Sequence, residues 1–309
     1  MIEFAIDHCD LLNVLVCAST REKISGKVRS KWISETFRDH PKVIVTVLEY
    51  DETVLPNTSE SSIEVSRAWA REFSRLFPDM NLLFTSEPYG DYVARFMHIN
   101  HISFDTGRNK YPISGSEIRK SLYNNWDLLP NSVKHYFQKK IVILGTESVG
   151  KSTLADHLSN QFRSSLVHEL ARDLIPNSTR FTKKQLKLIA EGHSQNIMNT
   201  CEQLEPLVFI DTDVHITQSY AKYAFGSYLD LQASIYHYNC ADIYLYLHKD
   251  VPYIQDGTRL EIGARNELDR SHRETLKYFG IQFMELSGSY EEQNQTAVRL
   301  VKELVNCFY

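Results

Sequence analysis

Two periodicities alternate along the chain. Short apolar runs rich in β-branched residues are followed by longer stretches whose apolar positions recur every three or four residues, the pattern of a parallel α/β fold. In the first half, "LLNVLVCAS" (11–19), "KVIVTVLEY" (42–50), "NLLFTSE" (81–87) and "HINHISFD" (98–105) predict strands. Helices are predicted over residues 1–9 and 28–38, across "SSIEVSRAWAREFSRLF", and briefly after "PYGD". In the longest of these, Ile63, Trp69, Phe73 and Leu76 repeat at helical spacing. "RNKYPISGSEIRKSL" reads as a loop entering a helix that Ser114 or Ser116 caps, and "LPNSVKHYF" as one more helix.

The second half restarts with the strand "KKIVIL" (139–144), then a glycine-bearing loop and a helix to about residue 162. Further strands are predicted at "SSLVHE", "PLVFIDTD", "DIYLYLH" and "IQFMELS". A long helix capped by Thr182 separates the first two of these, and "SYEEQNQTAVRLVKELVNCF" closes the chain as a helix. No Gly/Ser-rich linker divides the halves, so we expect two packed domains, 1–138 and 139–309, with a short joint.

Composition narrows the class. A chain of 309 residues is long enough for two cores, and 42% hydrophobic with 24% charged residues is ordinary for a globular protein. The formal net charge of -5 argues against a nucleic-acid partner. No window approaches the roughly 20 apolar residues of a membrane-spanning helix. Asp7 and Asp10 interrupt the apolar start, against a secretory leader. Five cysteines without metal-like spacing read as reduced thiols, which places the protein in the cytoplasm. His98 and His101 lie three apart in a predicted strand and so face opposite ways, which suits a shared metal poorly.

The chemistry concentrates at "GTESVGKS". Gly145, Gly150, Lys151 and Ser152 occupy every fixed position of the phosphate-cradling loop G-x-x-x-x-G-K-[ST], between a predicted strand and a predicted helix. Backbone N–H groups of Gly145, Thr146, Glu147, Ser148, Val149 and Gly150, with the helix start at Lys151, Ser152 and Thr153, are expected to face ATP. Lys151 would bridge the β- and γ-phosphates and Ser152 would ligate Mg²⁺. Asp211 ends the strand "LVFID" as a carboxylate that would hold Mg²⁺ directly or through water; an acid there that merely caps the next helix is the alternative, and Asp213 is placed to do that. "VHELARD" brings Glu169, Arg172 and Asp173 to the carboxyl edge of the sheet, where a carboxylate can take a proton from an attacking hydroxyl and Arg172 can orient substrate. An Asp–Arg pair on a surface helix turn is the alternative. "YIQDGTRLEIGARNELDR" carries Arg259, Arg265 and Arg270 among glycines, the composition of a mobile lid, with a solvated charge run as the alternative. Tyr253 can stack on several heterocycles.

"ISGSEIR" forms a second phosphate-cradle candidate from hydroxyls, N–H groups and Arg119. "SEPYGDYVA", "RNKYPISGSEIR", "LGTESVGKST", "FIDTD" and "YIQDGTR" occur in this order. Together they resemble the bifunctional nicotinamide-mononucleotide adenylyltransferase/ribosylnicotinamide kinase family of bacterial NAD salvage, over essentially the whole chain. The resemblance implies a Rossmann-like nucleotidyltransferase domain followed by a P-loop kinase domain with a parallel sheet. It also implies ATP, nicotinamide riboside and nicotinamide mononucleotide as small-molecule partners, with Mg²⁺ as cofactor. By the same resemblance Ser114, Ser116 and Arg119 contact ATP in the transferase, Lys151, Ser152 and Asp211 serve the kinase, and the segment holding Tyr253, Asp256 and Arg259 forms its lid and nicotinamide-side contacts.

Two departures from that pattern matter. The family's first strand and its H-x-G-H loop have no counterpart, because the chain starts at the helix that should follow them. Some members of the family also carry an N-terminal DNA-binding domain; the sequence as it stands leaves no room for one, so we expect no regulation of transcription. Loss of a central strand exposes two strand edges. We therefore expect a start downstream of the native one, with adenylyltransferase activity absent or severely reduced and the kinase half competent. A kinase of another nucleoside and a nucleotide sensor with little turnover are the alternatives. The sequence leaves open whether the chain forms a homo-oligomer.

Overall fold

The computed structural model describes residues 1–57, 62–175, 181–251 and 261–306, without the side chains of Arg172 and Asp173. The chain divides into two compact units, Met1–Val133 and Lys134–Tyr309.

In the first unit α1 (Ile2–Ile6) leads to β1 (Leu12–Ser19), α2 (Gly26–Thr36) and β2 (Val43–Tyr50). Then come α3 (Ile63–Leu76), β3 (Leu82–Thr85), α4 (Tyr89–Met97), β4 (Asn100–Ser103) and α5 (Gly115–Lys120). A 3-10 segment over Tyr123–Leu128 follows, and α6 (Asn131–Phe137) crosses the division between units. Each helix between paired strands is a crossover, so β1 runs parallel to β2 and β3 parallel to β4. The two pairs do not join: among the described residues β1 bonds only β2, and β3 only β4. Residues of β1 and β3 line one cleft of roughly 940 Å³. Side-chain packing holds the unit around it, with Trp69 edge-on to Tyr50 at 5.0 Å and Phe4 against Phe104 at 5.0 Å.

The predicted strand at 98–105 is shorter than the sequence pattern suggests. His98 ends α4 in the left-handed conformation at φ 55°. His101 is tied to its neighbours, with Nε2 2.9 Å from Thr85 Oγ1 and Nδ1 2.7 Å from Asp91 Oδ1. Among the described residues no cluster of three or more His, Cys, Asp or Glu side chains could hold a metal ion.

The second unit is a single parallel sheet of β5 (Lys139–Leu144), β6 (Ser165–Val167), β7 (Leu207–Asp211), β8 (Ile243–Leu247) and β9 (Met284–Leu286), ordered β6-β7-β5-β8-β9. Around it lie α7 (Lys151–Phe162), α8 (Ala171–Leu174), α9 (Lys183–Cys201), α10 (Val214–Phe225), α11 (Ala233–Asn239), α12 (Ile262–Tyr278) and α13 (Tyr290–Asn306). Strands covered on both faces read as continuous apolar runs, and "LVFID" is buried at every position. Thr182 and Gln185 close a reciprocal capping box at the start of α9. Phe209, fully buried in β7, has its ring 6.0 Å from that of Phe162. Phe209→Ala is expected to destabilise the second unit by about 3–5 kcal/mol, read as a lowered urea midpoint. No described helix is long and apolar enough to cross a membrane, and the four described cysteines are free thiols.

Candidate functional site

The site forms where β5 ends, at the carboxyl edge of the sheet. The chain turns from β5 into α7 through backbone that favours glycine: Gly145 has φ 142° and Gly150 φ 90°. Space forbids a side chain at both. A Cβ on Gly145 would lie 2.9 Å from Val149 Cγ2 and 3.0 Å from the Leu247 carbonyl oxygen, and one on Gly150 would lie 2.1 Å from the Tyr290 hydroxyl. That hydroxyl donates to the Gly150 carbonyl at 3.1 Å, so the first turn of α13 pins the loop. Thr146 and Val149 are fully buried, and Ser148 completes the turn at φ 58°.

The first turn of α7 carries the polar groups. Lys151 Nζ donates to the Thr146 carbonyl at 3.1 Å. The Ser152 hydroxyl donates in a short hydrogen bond to Asp211, whose carboxylate is 1% exposed at the end of β7. Register brings them together, because Asp211 pairs with Ile143 just before the loop. A hydroxyl and a carboxylate are hard oxygen donors of the kind Mg²⁺ takes, with waters and substrate phosphates completing its shell. The pair fits such an ion. Thr153 lies exposed beside them.

Helices α10 and α12 brace this loop. Tyr220 donates to Glu147 Oε1 at 3.2 Å, and Arg265 Nε donates to the Glu147 carbonyl at 2.8 Å. Burial first, then the Glu147 and Glu169 carboxylates, push the Tyr220 hydroxyl well above its usual range, so it remains a donor. Fully buried His272 meets Ser219 Oγ through Nδ1 at 2.8 Å. Burial, and then the Lys151 ammonium, hold its pKa down at about 3, so this imidazole is neutral. Asp213 caps α10, accepting from the His215 and Ile216 N–H groups at 3.0 and 3.3 Å.

Next to Asp211 a cleft opens, lined by Glu169, His193, Thr212, Asp213, Ile216 and Tyr220. Thr212 is held at φ 70°, an uncommon conformation for a branched residue, and its carbonyl meets His193 Nε2 at 3.0 Å. Strain of this kind collects at functional sites.

The structure thus unites Gly145, Thr146, Glu147, Ser148, Val149, Gly150, Lys151, Ser152 and Asp211 at one loop, with Glu169 in the adjoining cleft. Arg172 and Asp173 follow on α8, their side chains outside the described residues. Tyr253, Asp256 and Arg259 also lie outside them. The lid expectation is corrected in part: Arg265 and Arg270 belong to α12, where Arg265 is buried against the loop and Arg270 is exposed. Tyr220, His193, His272 and Tyr290 were not anticipated, for none belongs to a local motif.

In the first unit Ser114 caps α5. Its hydroxyl accepts from the Glu117 N–H at 3.1 Å, its own N–H donates to Glu117 at 2.6 Å, and Arg119 donates to Ser116 Oγ at 2.9 Å.

Residues 140–293 match a family described as an AAA domain. The chain is 27% identical over 292 residues to the "Trifunctional NAD biosynthesis/regulator protein NadR" of Escherichia coli (strain K12), covering 90% of this chain and 69% of that protein. To the protein of the same name from Salmonella typhimurium (strain LT2) it is 31% identical over 217 residues, covering 67% of this chain and 52% of the relative. Among solved structures, a NadR protein in complex with NR superposes with a TM-score of 0.63 at 18% identity, over 98% of this chain and 91% of that one. That likeness extends the α/β fold with parallel sheets across the whole chain.

Proposed function

We propose that the second unit is a kinase that transfers the γ-phosphoryl group of ATP to a hydroxyl of nicotinamide riboside. The observation that carries this reading is the Ser152–Asp211 pair at the mouth of the phosphate loop, beside a cleft that presents Glu169. The relatives' names place them in NAD biosynthesis, and NR is the ligand of a protein with this fold.

In this account the loop N–H groups and Lys151 hold the β- and γ-phosphates. Ser152 and Asp211 would hold Mg²⁺, which supplies neutralisation of phosphate charge. The acceptor oxygen bonds to the γ-phosphorus as the bond to the bridging oxygen breaks, ADP leaves with that electron pair, and Glu169 or Asp173 receives the hydroxyl proton. Arg172, Tyr253, Asp256 and Arg259 serve acceptor binding and charge neutralisation. For the first unit we propose an adenylyltransferase-like site around Ser114, Ser116 and Arg119 with little or no activity. One observation favours this: among the described residues the two strand pairs of that unit do not join.

Purified protein with Mg-ATP and an acceptor panel of nicotinamide riboside, uridine and deoxynucleosides tests the reading. ADP should form with nicotinamide riboside. Turnover of another nucleoside alone would replace the substrate, and ATP binding without any turnover would indicate a sensor. Pyrophosphate release at a normal rate from nicotinamide mononucleotide and ATP would overturn the account of the first unit.

A further inference from the structure

We propose that His193 is a specificity-determining residue of the acceptor cleft, where its Nδ1 accepts a hydrogen bond from a sugar hydroxyl that is not phosphorylated and so selects ribosides over deoxyribosides. The inference rests on the kinase reading and adds a residue and a preference to it.

The tautomer follows from the neighbours. His193 Nε2 lies 3.0 Å from the Thr212 carbonyl oxygen, which can only accept, so Nε2 carries the proton. Burial lowers the affinity of the ring for a second proton, and the side chain is 5% exposed. Nδ1 is therefore a bare lone pair, and it is buried without a hydrogen-bond partner. A buried acceptor left unpaired is costly, and native structures rarely keep one without a reason.

The surroundings indicate the partner. His193 lines the same cleft as Glu169, Asp213 and Tyr220, with Leu186 and Ile189 as apolar wall. Asp213 is committed to its cap and to His215, Nδ1 of which lies 2.5 Å from its carboxylate. The Tyr220 hydroxyl is committed to Glu147. Nδ1 is closed off from solvent, and an O–H group that parts the cleft wall on entry would give it the donor it lacks. One hydroxyl of a riboside attacks the phosphorus, leaving others free to donate. A deoxy analogue would bury Nδ1 unpaired, and sites built to bond a hydroxyl reject analogues lacking it.

Two variants separate this role from simple packing. Glutamine places an amide N–H near Nε2 and keeps the bond to Thr212 but has no acceptor at Nδ1, whereas asparagine places a carbonyl oxygen near Nδ1. Calorimetric binding and steady-state turnover would be measured with nicotinamide riboside and its 2′-deoxy and 3′-deoxy forms. The unaltered protein should prefer the riboside to one deoxy form by about 10- to 100-fold. His193→Gln should raise KM for the riboside by a similar factor, erase that preference, and leave KM for ATP and the melting temperature unchanged. His193→Asn should retain the preference. Riboside turnover with no preference over either deoxy form, or a preference that survives in His193→Gln, would overturn the proposal and leave the kinase reading intact. Absence of riboside binding would overturn both.

Discussion

Lys151→Ala is expected to lower kcat/KM for phosphoryl transfer by about 10³-fold, the scale on which removal of one preorganised cationic or donor group from a transition state is felt. Charge accumulates on the β–γ bridging oxygen as ADP departs, and Lys151 carries the ammonium group of the loop. In the structure Nζ rests 3.1 Å from the Thr146 carbonyl, a short rotation of a flexible side chain from the loop's N–H groups. The neighbouring His272 is neutral, so no second cation replaces it from that side. The loop is held by backbone conformation and by Tyr290, so the variant should keep its melting temperature while losing turnover. A coupled assay of ADP formation reads the loss; a rate within threefold of the parent would remove Lys151 from the mechanism.

Asp211→Asn is the second large effect. The change keeps the shape of the side chain and an acceptor for the Ser152 hydroxyl, but removes the charge that pairs with a divalent cation. A fall in kcat of about 10²-fold or more is expected, with half-saturation by Mg²⁺ moved to higher concentration. Titration of ADP formation with Mg²⁺ distinguishes this from a folding defect, since excess metal should recover part of the rate. An unchanged Mg²⁺ profile would mean that the carboxylate serves only to orient Ser152.

The phosphate loop was legible because its conformation depends on local sequence. Glycines at 145 and 150 are demanded by positive φ and by contacts under 3 Å, and the Thr182 box is a contract between residues three apart. Strands such as "LVFID" announced themselves because both their faces are buried. Helices α10 and α12 gave no such signal. Their inward positions include Thr217, Gln218 and Ser219 on one, and Arg265, Asp269, His272 and Thr275 on the other, so polar residues mask the apolar period. Glycines and arginines then made the start of α12 resemble a loop. The same polar positions build the site, which explains why its supporting residues were the hidden ones. Tyr220 reaches Glu147 and His193 reaches Thr212 only after helices distant in sequence pack against the sheet. In the first unit the strands themselves were readable, but no local pattern encodes how they pair or the cleft that β1 and β3 share.

The central claim is that the second unit moves a phosphoryl group onto nicotinamide riboside. Incubation with ATP labelled in its γ-phosphate, Mg²⁺ and nicotinamide riboside, followed by separation of the products, tests it most directly. The account predicts that the label appears in nicotinamide mononucleotide in step with ADP, and that Lys151→Ala stops the transfer. Label recovered only as inorganic phosphate, or in ATP that remains intact, would contradict it.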